Sequence, residues 1–129
     1  MSKSLISIAN KTRSKAPRLP FEKIGEAILG KNYELSVAFV TPTDARRIAR
    51  TYKRKDYAAN VLSFRLSKNS GELVICLSTA KSEAADFDRS YPEHVLALFI
   101  HGILHLDGHT HGGTMEHEER RLLRKYSLR

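Results

Sequence analysis

A mixed α+β domain is expected, in which a small four-stranded sheet packs against helices and one helix is buried at the centre. Three observations predict it. Four short apolar or alternating segments, at 5–10, 33–40, 61–66 and 72–77, have strand character. Segments with helical spacing lie between and after them. The run "YPEHVLALFIHGILHL" at 91–106 is apolar nearly all round, which is the signature of a helix buried on every side. The chain has 129 residues, 41% of them hydrophobic, enough for one domain with a real core. Its apolar segments are spread over the whole length without a repeat, so a single domain over 1–129 is expected.

The elements follow in order. "LISIAN" (5–10) is a strand, and the basic, proline-bearing "KTRSKAPRLP" is a connection. "PFEKIGEAILG" reads as a helix with Phe21, Ile24, Ile28 and Leu29 on one face and Gly30 as its stop. "YELSVAFV" alternates, placing Leu35, Val37 and Phe39 on one side of a strand. "TPTDARRIARTYK" is a helix capped by Thr43 or Asp44. Its buried stripe is Ala45, Ile48, Ala49 and Tyr52, which leaves Arg46, Arg47 and Arg50 outside. "VLSFRL" and "ELVICL", joined by "SKNSG", form a hairpin. "STAKSEAADF" begins a short helix capped by Ser78 or Thr79. Gly108 ends the central helix, and "TMEHEERRLLRKYSL" is the last one. The acids of that helix (Glu116, Glu118, Glu119) come early and its bases late, as the helix dipole prefers.

Composition narrows the function. Lys and Arg total 22 against 14 acids, a net charge of +8 that favours polyanionic partners, nucleic acid first among them. The bases cluster in "NKTRSKAPR", "ARRIARTYKRKD" and "RRLLRKYSLR". Cys76 is the single cysteine, which excludes an internal disulfide, and its place in "ELVICL" makes it a buried, inert thiol suited to a reducing cytosol. The N-terminus lacks the pattern of a secretory leader, and no apolar run approaches the ~18 residues of a membrane span. A cytoplasmic protein without membrane partners is expected.

The stretch "HGILHLDGHTH" (101–111) holds four of the six histidines. His101 and His105 are four apart on a helix and so project from one face, one turn apart. The helix breaks at Gly108, and His111 returns from the turn as a third ligand, with His109 as its competitor for that place. Three imidazoles with an open fourth position describe a catalytic zinc site rather than a closed structural one. His94 and His117 read as ordinary surface or helix-end residues. The spacing matches the metzincin protease motif H-E-x-x-H-x-x-G-x-x-H, but Gly102 stands where those enzymes carry their glutamate base. Peptide hydrolysis on that plan is not expected. Another base, a substrate phosphate or metal-activated water must serve.

Taken together, "HGILHLDGHTH", "YKRKDYAANVLSF", "GELVIC" and "HGGTMEHEERRLL" resemble, in order, motifs of the YbeY family of metal-dependent endoribonucleases. The resemblance runs from about residue 33 to 126. It implies one zinc ion on His101, His105 and His111, and single-stranded precursor ribosomal RNA as substrate, cut in maturation of the small-subunit RNA 3′ end. It also implies small-subunit ribosomal components as partners, in ribosome assembly or quality control. The family's functional arginine falls at Lys53, with Arg54 beside it, and either supplies the catalytic positive charge. Ser63, Arg65 and His109 are candidates for holding substrate. The chain departs from the family pattern at Ala58-Ala59 (usually Pro-Thr), at Arg65 (usually Pro) and at His109-Thr110 (usually Tyr-Asp). The departures at Lys53 and Thr110 motivate the alternative: a zinc-stabilised RNA-binding ribosome-assembly factor with little turnover. A small hydrolase of unrelated substrate is the third reading.

Overall fold

Strand β4 (Ser70–Cys76) is buried at Gly71 and from Leu73 through Cys76, the pattern of a strand covered on both faces. The computed structural model describes residues 5–53, 60–108 and 112–127. The other strands are β1 (Ile6–Asn10), β2 (Glu34–Val40) and β3 (Val61–Ser67), in the sheet order β1-β2-β4-β3. β1, β2 and β4 run parallel, and β3 is the antiparallel edge, joined to β4 by a two-residue turn at 68–69. The helices are α1 (Phe21–Leu29), α2 (Pro42–Lys53), α3 (Leu77–Glu83), α4 (Tyr91–Leu106) and α5 (Gly113–Tyr126), with a 3-10 turn at Ala84–Phe87. The α+β class and four-stranded sheet read from the periodicity are those observed.

Alternation divides the side chains of the sheet between two cores. Leu35, Val37, Phe39, Leu73 and Ile75 face α1, α4 and α5 in the main core. Val40, Leu62, Val74 and Cys76 face Ala45 and Ala49 of α2 in a smaller one. Helix α4 lies at the centre of the first, with ten buried residues and Ser90 accepting the Glu93 amide at its N-terminus. Gly108 ends it at φ 98°, a conformation glycine takes without strain. No helix among the described residues is long and apolar enough to cross a membrane.

Three local expectations are corrected. The cap of α2 is Thr41, whose hydroxyl accepts the Asp44 amide at 3.2 Å; Pro42 opens the helix, so Thr43 and Asp44 already lie in its first turn. Helix α3 starts at Leu77 directly from β4 without a side-chain cap, and the Thr79 hydroxyl donates instead to Cys76 Sγ. Tyr52 is 69% exposed rather than part of the buried stripe. Its ring meets Phe64 of the edge strand edge-on at 5.9 Å, which covers only one side of it.

Candidate metal centre

Helix α4 approaches the sheet closely because residue 102 is glycine. A Cβ there would collide with the Leu73 side chain of β4. This packing explains the missing glutamate of the protease motif: position 102 faces the core, and no carboxylate fits against Leu73. The neighbouring positions, His101 and His105, turn instead toward β3, both half-buried. Two hydrogen bonds fix the helix against that strand. Ser63 Oγ donates to the Gly102 carbonyl at 3.0 Å, and Arg65 Nη2 donates to the Leu106 carbonyl at 2.8 Å. The second satisfies one of the carbonyls left open at the end of α4.

The Nε2 atoms of His101 and His105 are 3.2 Å apart. Two imidazole nitrogens bound to one tetrahedral ion at about 2.0–2.1 Å would sit at about this separation. On its other side, His101 Nδ1 lies 2.7 Å from Glu119 Oε1 of α5. A proton on Nδ1, donated to that carboxylate, leaves the Nε2 lone pair directed at the shared point and fixes the orientation of the ring. The two imidazoles would fit two positions of a zinc ion's ligand set. Among the described residues no group of three His, Cys, Asp or Glu side chains is placed to hold a metal. His111 and its competitor His109 lie outside the described residues.

The histidines open on a groove of about 440 Å³ lined by Lys53, Asn60, Ser63, Arg65, His101 and His105, with apolar walls from β3 and Leu106. Lys53 reaches it from the end of α2, its ammonium 4.8 Å from the Phe64 ring centroid. Arg54 lies outside the described residues. Lys53, Ser63 and Arg65 are thus brought beside the histidine pair. Ser63 and Arg65, however, already spend donors on α4 carbonyls. Next to Arg65, the Tyr33 hydroxyl is buried with no hydrogen-bond partner among the described residues. Burial raises its pKa, opposed by the Arg65 charge and reinforced by Asp107.

Two features escaped the sequence reading. Glu119 was legible only as one of the early acids of α5, yet Met115 and Leu122 are buried at helical spacing on either side of it. An acid within an apolar i, i+4, i+7 stripe faces inward, and that signal was available. His94 sits near the start of α4, as expected of a helix-end residue, but it is buried rather than on the surface. Its Nε2 is 3.1 Å from Glu83, its Nδ1 is 3.3 Å from Arg89 Nη1, and its ring stacks on Phe87. Glu83 also accepts from Asn60 Nδ2. His117 is exposed, as expected.

Comparison with known proteins places the sequence and the fold. The chain is 36% identical over 107 residues to endoribonuclease YbeY of Cupriavidus metallidurans and 33% identical over 108 to that of Cupriavidus necator, covering 79% and 80% of this chain and 54% of each relative. It thus spans about half the length of these two relatives. It is 35% identical over 117 residues to endoribonuclease YbeY of Aromatoleum aromaticum, covering 88% of this chain and 75% of that one. A Thermotoga maritima protein solved in solution has the same fold, with a TM-score of 0.66 at 19% identity over 94% of this chain and 88% of the other. The sequence model of the family described as "Endoribonuclease YbeY" matches residues 6–127, and with that span matched the chain belongs to the YbeY family.

Proposed function

We propose that the chain is a zinc-dependent endoribonuclease that cuts single-stranded precursor ribosomal RNA, at the 3′ end of the small-subunit RNA, as part of ribosome assembly or quality control in the cytoplasm. The observation that carries this reading is the convergence of His101 and His105 Nε2 at 3.2 Å, with Glu119 behind, at the floor of a groove edged by Lys53 and Arg65. The relatives' printed name, endoribonuclease, supports the reaction class. His111 completes the ligand set. A zinc ion bound there supplies Lewis-acid chemistry and activates water. Glu119 holds the His101 ring in one tautomer. Lys53, or Arg54 beside it, neutralises charge developing on the phosphate. The net charge of +8 holds RNA chiefly through its phosphates.

The alternative, an RNA-gripping assembly factor with little turnover, is favoured by one observation. Ser63 and Arg65 are engaged with α4 carbonyls, and no carboxylate lines the groove among the described residues. Cleavage and binding of precursor ribosomal RNA, each with and without chelator, separate the two. Chelation abolishes cutting and leaves most of the binding if the nuclease reading holds. Ends lacking a 2′,3′-cyclic phosphate identify water as the nucleophile, whereas cyclic ends would exclude it. Cutting that persists under thorough chelation would favour the assembly factor. His111→Ala loses bound metal and His109→Ala keeps it; the reverse in elemental analysis would exchange their roles.

A further inference from the structure

The two ends of α2 open on different cavities. Its last residue, Lys53, lines the groove at the histidine pair. Its first residues open on a second cavity of about 550 Å³, whose lining includes Lys11, Arg13, Ser14, Thr41, Pro42 and Ser78. This second cavity lies where the three parallel strands end, β1 at Asn10, β2 at Val40 and β4 at Cys76. In sheets with parallel strands that end is the usual place for ligands. The loop that supplies its cations is built rather than slack. Asn10 Oδ1 accepts from the Thr12 amide at 3.0 Å and from its hydroxyl at 2.7 Å, while Asn10 Nδ2 donates to the Ser14 carbonyl at 2.8 Å. Lys11 and Arg13 are left exposed at the rim. No carboxylate lines this cavity among the described residues. The nearby Asp44 is held by the Arg47 guanidinium at 3.6 Å.

A row of cations joins the two cavities. Ala45 and Ala49 turn α2 against the sheet, and Arg46, Arg50 and Lys53 fall at i, i+4 and i+7 on an exposed stripe. A 12-residue helix is about 18 Å long, the span of about five stacked nucleotides at ~3.4 Å each. We infer that the RNA strand entering the metal groove continues along this stripe and seats a backbone phosphate in the cavity at Lys11 and Arg13. The inference rests on the reading of the chain as an RNA nuclease and adds to it a second phosphate site, one helix length from the first. Hydroxyls at Ser14, Thr41 and Ser78 can donate to the same phosphate.

The test is fluorescence anisotropy of the metal-loaded full chain with labelled 2′-O-methyl single strands of about four and about twelve nucleotides. Lys11→Ala/Arg13→Ala and Arg46→Ala/Arg50→Ala should each bind the long strand about tenfold more weakly. Each should also lower the log–log salt slope by about 1.4, two charges at ~0.7 each. Both variants should bind the short strand as the wild type does. Lys11→Arg/Arg13→Lys should restore long-strand binding, and unchanged thermal unfolding keeps the comparison clean. Wild-type affinity of both alanine variants for the long strand, or equal losses on both lengths, overturns the second site. If the wild type cuts RNA and only these variants behave normally, the second site alone falls. A wild type that neither binds nor cuts RNA removes the nuclease reading and this inference with it.

Discussion

Helix α4 carries two histidine–carboxylate pairs, and they do different work. His94 meets Glu83 at one nitrogen and Arg89 at the other, stacks on Phe87, and is 1% exposed. His101 meets Glu119 at Nδ1, but its Nε2 faces His105, and its side chain is 27% exposed. The two are seven residues apart, so they share a face of the helix. Neither the residue type nor the acid partner separates them. The difference is what the second nitrogen meets: a guanidinium away from the groove, or a second imidazole at the edge of the groove. Around His94 the turn after α3 closes the shell with Arg89 and Phe87. Around His101 the next turn of the same helix supplies another imidazole instead.

The comparison can be broken in four places. His101→Ala and His105→Ala should each weaken zinc binding by more than about 100-fold, read by competition with a chromophoric chelator. His94→Ala should leave zinc stoichiometry unchanged and lower unfolding stability by about 2 kcal/mol, because it removes a packed ring and its contacts with the half-buried Glu83 and Arg89. Metal loss in His94→Ala at intact fold would show that the two pairs are one system. Glu119→Gln should reduce zinc affinity by about tenfold with little change in melting temperature, since an orienting partner is weakened but not removed. A wild-type zinc affinity there would make the Glu119 contact incidental. Ser63→Ala should cost about 1 kcal/mol in denaturant unfolding through its bond to the Gly102 carbonyl. An unchanged midpoint, paired with loss of RNA affinity, would assign Ser63 to substrate instead.

Most of the fold was legible because its signals are local. The alternation at Leu35, Val37 and Phe39 and the all-round apolarity of 91–106 are consequences of which faces are buried, and both are written in consecutive residues. The His101–His105 convergence was legible for the same reason, being a property of one helix. What escaped depends on contacts across the chain. Glu119 reaches His101 from 18 residues away, and Arg65 reaches the Leu106 carbonyl from 41. The exposure of Tyr52 follows from where α2 meets the edge strand, which its own periodicity does not encode. Gly102 is legible in the sequence as an absent base, but its packing reason, the Leu73 side chain, comes from a strand nearly thirty positions earlier.

Among the described residues, strand β1 pairs with a neighbour on one side only, and of its five residues only Ile6 is buried; Ile8, on the same face, is 41% exposed. β4, by contrast, is paired on both sides and covered above and below. Local opening follows such differences, so the amides of β1 exchange with solvent hydrogen through fluctuations far smaller than those needed to free β4. The built loop at Asn10–Ser14 hangs from the end of this loosely held strand. Any ligand that braces the loop therefore slows amide exchange along β1, at residues it never touches, and the strand with the weakest hold on the sheet becomes its most sensitive reporter.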